Sequence, residues 1–217
     1  MEIIKYITSP EFIRDIISWG GYLGLFIVIF SETGLLVGFF LPGDSLLVTA
    51  GLFAATPINS DSPDVTYLKI GYLLITLIPA ALLGNSTGYL IGRKAGPKLF
   101  TKEKSLLFRK DYLLKTKTFY EKYGGSAIII GQFMPIIRTF AAVVAGIGQL
   151  KYSKFIRYNM IGAFTWIPSM TLLGYFLGRS IPNIEKHIEK VIIVIVILSI
   201  SPIIYKFIKH KLIKRKK

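Results

Sequence analysis

Phe40-Leu41-Pro42-Gly43-Asp44-Ser45 interrupts an otherwise apolar run from Gly20 to Ala55, and Phe133-Met134-Pro135-Ile136-Ile137-Arg138 interrupts a second run from Gly124 to Leu150. In each interruption a proline, which lacks an N–H and breaks an ongoing helix, is followed within three residues by a charge. A charge at the centre of a bilayer costs at least about 2.5 kcal/mol, so such a side chain faces a cavity, a partner or a substrate. Neither half of the first run is a clean stretch of the ~20 apolar residues that a crossing helix needs. The pattern predicts two re-entrant helical hairpins, with Pro42, Gly43 and Pro135 at their turns.

Composition places these runs in a membrane. The chain has 217 residues, 52% hydrophobic and 18% charged, with a mean hydropathy of +0.55, which is too apolar for a soluble domain of this size. Its net charge of +15 comes from Lys and Arg grouped between the apolar runs and at the C-terminal end, the pattern of cytoplasmic loops. No basic surface alternates with aromatics, so nucleic acid is not an expected partner. The absence of Cys excludes a disulfide framework, a thiolate metal site and a cysteine nucleophile. The first residues lack the pattern of a cleaved signal, and none is expected.

The expected organisation is a single all-α integral membrane domain. Residues 1–19 carry apolar positions at helical spacing among charges and read as an interfacial amphipathic helix. Residues 20–92 form a first repeat, in which the hairpin precedes a span from Ile70 to Ile91 that Pro79 kinks. Residues 93–123 hold ten Lys and Arg against three acids and form a basic cytoplasmic loop. Residues 124–178 form a second repeat, with a span from Tyr158 to Leu177. A C-terminal transmembrane helix over 191–208 and a basic tail over 209–217 complete the chain and place its C-terminus in the cytoplasm. Gly88-Tyr89-Leu90-Ile91-Gly92-Arg93 recurs as Gly174-Tyr175-Phe176-Leu177-Gly178-Arg179, each copy closing the span after a broken hairpin. With three crossings and two hairpins the copies have opposite topology, a recurrent transporter plan.

Glu32 and Asp44 sit on the two arms of the first hairpin. Two carboxyls drawn towards one apolar cavity compete for ionisation, which suits one of them to carry a proton. Capping of the second half-helix is a structural alternative for Asp44. Arg138 is the counter-charge in the second hairpin, and its guanidinium is shaped for phosphate or carboxylate oxygens; a purely structural intramembrane ion pair is its alternative. A half-helix beginning near Thr139 would add its positive dipole end beside a bound anion. The glycines Gly124, Gly125, Gly131, Gly146, Gly148 and Gly162 are read as close-packing positions rather than a nucleotide cradle. Trp19 and Trp166 are read as interface anchors. His187 and His210 are read as solvated, so no metal site or cofactor is expected.

In Glu32, the Phe40 to Asp44 stretch, Gly84-Asn85 with Gly88-Tyr89 and Gly92-Arg93, and Gly131 to Arg138 followed by Ala145-Gly146, the chain resembles the DedA family over roughly Gly20 to Gly178. The resemblance implies opposed re-entrant hairpins, membrane-embedded acids and arginines needed for function, and movement of lipids between leaflets. Glu32 and Asp44 match the family's acidic pair. Arg138 matches the second arginine of its Gly-Arg-Phe-x-Pro-x-x-Arg pattern, whereas Gln132 stands where the first arginine is expected. Gln132 can donate hydrogen bonds to phosphate oxygens but adds no charge. The implied function is a flippase rather than an enzyme. Its cargo is a polyprenyl phosphate carrier lipid, undecaprenyl phosphate in bacteria, moved with the help of the proton-motive force across the inner (cytoplasmic) membrane. Its partners are then an anionic phosphate-bearing lipid, protons and the bilayer, and self-association into a homo-oligomer is compatible with it. The alternatives are a non-selective phospholipid scramblase, a lipid phosphatase and a structural assembly protein.

Overall fold

The computed structural model describes residues 10–35, 43–55, 68–99 and 125–180, which are helical apart from short turns and ends, with no strand among them. Six helices follow one another: α1 Pro10–Gly34, α2 Gly43–Ala55, α3 Ile70–Leu99, α4 Ser126–Gln132, α5 Pro135–Ile147 and α6 Tyr152–Ser180. Pro42, the segment before Pro10, residues 100–124, and the expected C-terminal span and tail over 191–217 lie outside the described residues, as do His187 and His210.

Proline and glycine set the ends and joints of these helices. Pro135 opens α5, where a missing N–H costs nothing and a fixed φ favours helix. Gly43 opens α2, with Asp44 in its first turn, where a negative charge faces the positive end of the helix dipole. The boundary expected near residue 19 is a joint inside a longer helix: α1 runs past Trp19 and turns at Gly21, whose φ of 49° and ψ of −133° only glycine adopts without strain. α3 runs on through Pro79 and past Arg93 to Leu99, so the first seven residues of the expected loop are helical. α6 starts six residues earlier than expected and continues through Pro168.

Among the described residues two stretches are long and apolar enough to cross a membrane, Ile70–Ala95 of 26 residues and Tyr152–Ser180 of 29. At 1.5 Å per residue both exceed the ~30 Å hydrocarbon thickness. Both carry exposed apolar side chains along their length, among them Ile75, Leu83, Phe164 and Phe176, as a lipid-facing surface requires. Around them the shorter helices are shared crosswise. α2 packs chiefly on α6, and α5 packs chiefly on α3. Glycine permits both contacts, because a Cβ at Gly51 would collide with the Thr171 carbonyl and one at Gly174 with the Val48 carbonyl. A Cβ at Gly92 would likewise meet the Val143 carbonyl, and one at Gly146 the Tyr89 carbonyl.

α1 runs beside α3 from Tyr22, whose hydroxyl accepts from the Lys69 main-chain N–H, to Gly34, which meets Gly84. α2 then brings Ala55 to Gly178, near the C-terminal end of α6. α4 and α5 open the other way, and the chain after α5 returns to the C-terminal half of α3, where Tyr89 donates its hydroxyl to the Leu150 carbonyl. The inner ends of the two helix pairs meet midway along α3 and α6. A core including Leu25, Ile29, Leu46, Leu47, Leu73, Leu77 and Trp166 lies on one side of that meeting point, and Tyr89, Ile128, Ala142, Ala145 and Phe155 lie on the other.

Candidate functional site

At this meeting point Arg138, in the first turn of α5, is 2% exposed. Its Nη1 donates to Asp44 Oδ1 at 2.7 Å and to the Gln132 main-chain carbonyl at 3.2 Å, while its Nη2 donates to Glu32 Oε1. The guanidinium therefore bridges two carboxyls that α1 and α2 bring from the other helix pair, and both carboxyls are buried. Glu32 fits because residue 43 is glycine: a Cβ there would overlap the Glu32 carboxyl. Two carboxyls share one guanidinium in a buried setting. Such a cluster is held by hydrogen bonds, because its desolvation is costly.

Trp166 closes the cluster from α6. Its indole N–H donates to the same Asp44 Oδ1 at 2.8 Å, and its ring lies beneath the guanidinium, 4.1 Å from centroid to Cζ, within cation–π range. The expected interface anchor is thus a fully buried member of the site. Trp19, by contrast, is 93% exposed.

Next to the charges lies a group of buried amides. Asn85 of α3 donates to Asn159 Oδ1 of α6 at 2.8 Å, and Gln132 Nε2 approaches the same oxygen at 3.5 Å. Gly162 leaves the room for this, since a Cβ there would press on Gln132 Cγ at 2.7 Å.

The structure thus brings Glu32, Asp44, Gln132 and Arg138 together, with Thr139 buried one residue further on. Thr139 does not begin the half-helix. α5 starts at Pro135, so Arg138 occupies the first turn and Thr139 follows it. Gly43 and Pro135 each open a helix that carries a site residue. Trp166, Asn85 and Asn159 are site residues that the sequence reading did not assign. The available signal was spacing: Asn159, Gly162 and Trp166 recur at three and four residues, one face of a helix.

The arrangement has counterparts among known proteins. The model of the VTT domain matches residues 41–176, which include Asp44, Gln132, Arg138, Asn159 and Trp166. Protein DedA of Escherichia coli is 43% identical over 190 residues, 88% of this chain and 83% of that protein. An uncharacterized membrane protein of Mycobacterium tuberculosis is 40% identical over 205 residues, 90% of this chain and 86% of its own length. The inner membrane protein YqjA of Escherichia coli is 30% identical over 186 residues, 85% of this chain and 79% of that protein. No solved structure matches the chain. A domain match over more than half of the chain and identities of this size across nearly its whole length make it a membrane protein of the DedA family.

Proposed function

We infer that this protein carries a phosphate-bearing polyprenyl lipid between the leaflets of the cytoplasmic membrane, as a transporter rather than an enzyme. The observation that carries this reading is Arg138 in the protein interior, shared by two carboxyls from the opposite helix pair. A phosphate and a carboxylate compete for the same guanidinium face. Headgroup binding therefore requires Glu32 or Asp44 to release Arg138, and a proton taken up by that carboxyl makes the release affordable in a buried setting. Proton uptake and cargo binding are coupled by this exchange, and the proton-motive force gives it direction. Arg138 Nε, with no hydrogen-bond partner among the described residues, is a further donor for a phosphate oxygen.

The two helix pairs are re-entrant hairpins in this reading and form inverted repeats with α3 and α6. It is supported by the crosswise packing of α2 on α6 and of α5 on α3, and by the opposite directions in which the pairs open. The basic residues Arg93 and Lys94 near the end of α3, and Lys151, Lys154 and Arg157 at the start of α6, support a cytoplasmic side for that end of the molecule.

The test is translocation of a polyprenyl phosphate in proteoliposomes with and without an imposed pH gradient. The expected result is gradient-stimulated movement that Asp44→Asn and Arg138→Ala both abolish. Gradient-independent movement of many lipids would instead identify a scramblase, a reading that the neutral Gln132 beside the single guanidinium also suits. Release of phosphate from the lipid would identify a phosphatase.

A further inference from the structure

The amides beside Arg138 have a fixed polarity. Asn159 Nδ2 donates to the Leu82 carbonyl at 3.3 Å, which sets the orientation of that amide and turns its Oδ1 towards Asn85 and Gln132. Both neighbours then present nitrogen to this oxygen, because a flipped amide would set oxygen against oxygen. What remains at the far ends is oxygen. Asn85 Oδ1 and Gln132 Oε1 are each buried without a hydrogen-bond partner among the described residues, on side chains 1% and 3% exposed. A buried acceptor calls for a donor.

We propose that Gln132 Oε1 and Asn85 Oδ1 form an acceptor subsite for the P–OH of a singly protonated phosphate monoester whose anionic oxygens bind Arg138. The assignment rests on the phosphate-lipid reading above. Gln132 belongs to both halves of the site: its main-chain carbonyl accepts from Arg138 Nη1 while its side chain joins the amides. The charge balance agrees, since one guanidinium already facing two carboxyls suits a monoanion better than a dianion. A phosphodiester of equal charge has no P–OH to offer, so the subsite selects monoester lipids.

The test pits phosphatidic acid against phosphatidylmethanol. At about pH 5 both carry one negative charge, but only the monoester keeps a phosphate proton. Equal amounts are mixed with the full-length protein in detergent, and the lipid retained through purification is quantified by mass spectrometry. Phosphatidic acid is expected to be enriched about tenfold, the worth of the one hydrogen bond that its single P–OH donates, shared between the two acceptors. The enrichment is expected to fall below about threefold in Gln132→Met, which keeps side-chain volume but loses the acceptor, and in Asn85→Leu. Equal retention by the native chain, or a ratio that neither variant changes, overturns the subsite and leaves the phosphate-lipid reading standing. Retention of neither lipid above an Arg138→Met control overturns both, and the native chain's own ratio decides the matter should a variant fail to fold.

Discussion

Removing the Arg138 side chain takes the cation out of a cluster that keeps both of its carboxyls. A buried charge pair broken on one side costs about 3–5 kcal/mol, whereas replacing all partners by neutral groups of similar volume is often close to neutral. Arg138→Met is therefore expected to lower stability by about that amount, and adding Glu32→Gln and Asp44→Asn to recover most of it. Thermal unfolding in detergent checks this, and a triple variant no more stable than the single one would mean that the carboxyls do not depend on the guanidinium. Trp166 divides more finely, because it touches Asp44 through its N–H and Arg138 through its ring. Trp166→Phe keeps an aromatic face but loses the N–H, for about 1–2 kcal/mol, together with ring volume whose loss adds a cavity cost, and Trp166→Leu loses the cation–π contact as well, for about 0.5–2 kcal/mol more. The same unfolding assay should rank native, Phe and Leu in that order. These residues differ in how legible they are. Glu32, Asp44 and Arg138 stand out in the sequence because charge inside an apolar run has few uses. An indole or an asparagine in such a run has several, and only the approach of α6 to α2, α3, α4 and α5 gives Trp166, Asn85 and Asn159 their partners.

At the scale of elements the molecule depends on how closely short helices approach long ones. Gly92 and Gly174 occupy the contacts where α5 meets α3 and α2 meets α6, and a methyl group at either would collide with a main-chain carbonyl, which cannot swing aside as a side chain can. Gly92→Ala and Gly174→Ala are each expected to cost about 1–3 kcal/mol. Gly71→Ala, on α3 with nothing within 4 Å of its Cβ, should be neutral or stabilising by up to about 1 kcal/mol, since alanine favours helix over glycine. The contrast within one helix separates a packing effect from propensity, and equal unfolding midpoints for Gly71→Ala and Gly92→Ala would contradict the packing. The repeated Gly-Tyr-x-x-Gly-Arg motif is plain in the sequence, and so are the two proline breaks. That each motif receives the short helix of the other half is not, because glycine spacing marks a close contact without naming the partner. Helix ends were also hidden: α3 passes Arg93 and α6 begins at Tyr152, since Arg and Lys are good helix formers and let a helix continue beyond the end of an apolar run.

At the scale of the whole molecule, the direction in which each helix pair opens decides whether its chain crosses the membrane or returns. Tyr22 of α1 lies beside Lys69 and Tyr72 at the start of α3, and Ala55 of α2 lies beside Gly178 at the end of α6. α3 and α6 run antiparallel, as the pairing of Asn85 with Asn159 and of Tyr89 with Phe155 requires, so both outer ends of the first pair sit at one end of the molecule. Gly125 beside Tyr158 and Leu150 beside Tyr89 put both outer ends of the second pair at the other, with the basic residues. Because the chain contains no cysteine, a single introduced thiol reports its own side without background. Asp15→Cys and Ala55→Cys are expected to react with an impermeant maleimide from outside intact cells. Ser126→Cys and Ser153→Cys should react only after the membrane is opened, as the positive-inside bias requires. Should Asp15→Cys and Ala55→Cys label from opposite sides, the first pair would span the bilayer, and the carboxyls it delivers to Arg138 would belong to an ordinary helix bundle instead of two hairpins meeting at the midplane.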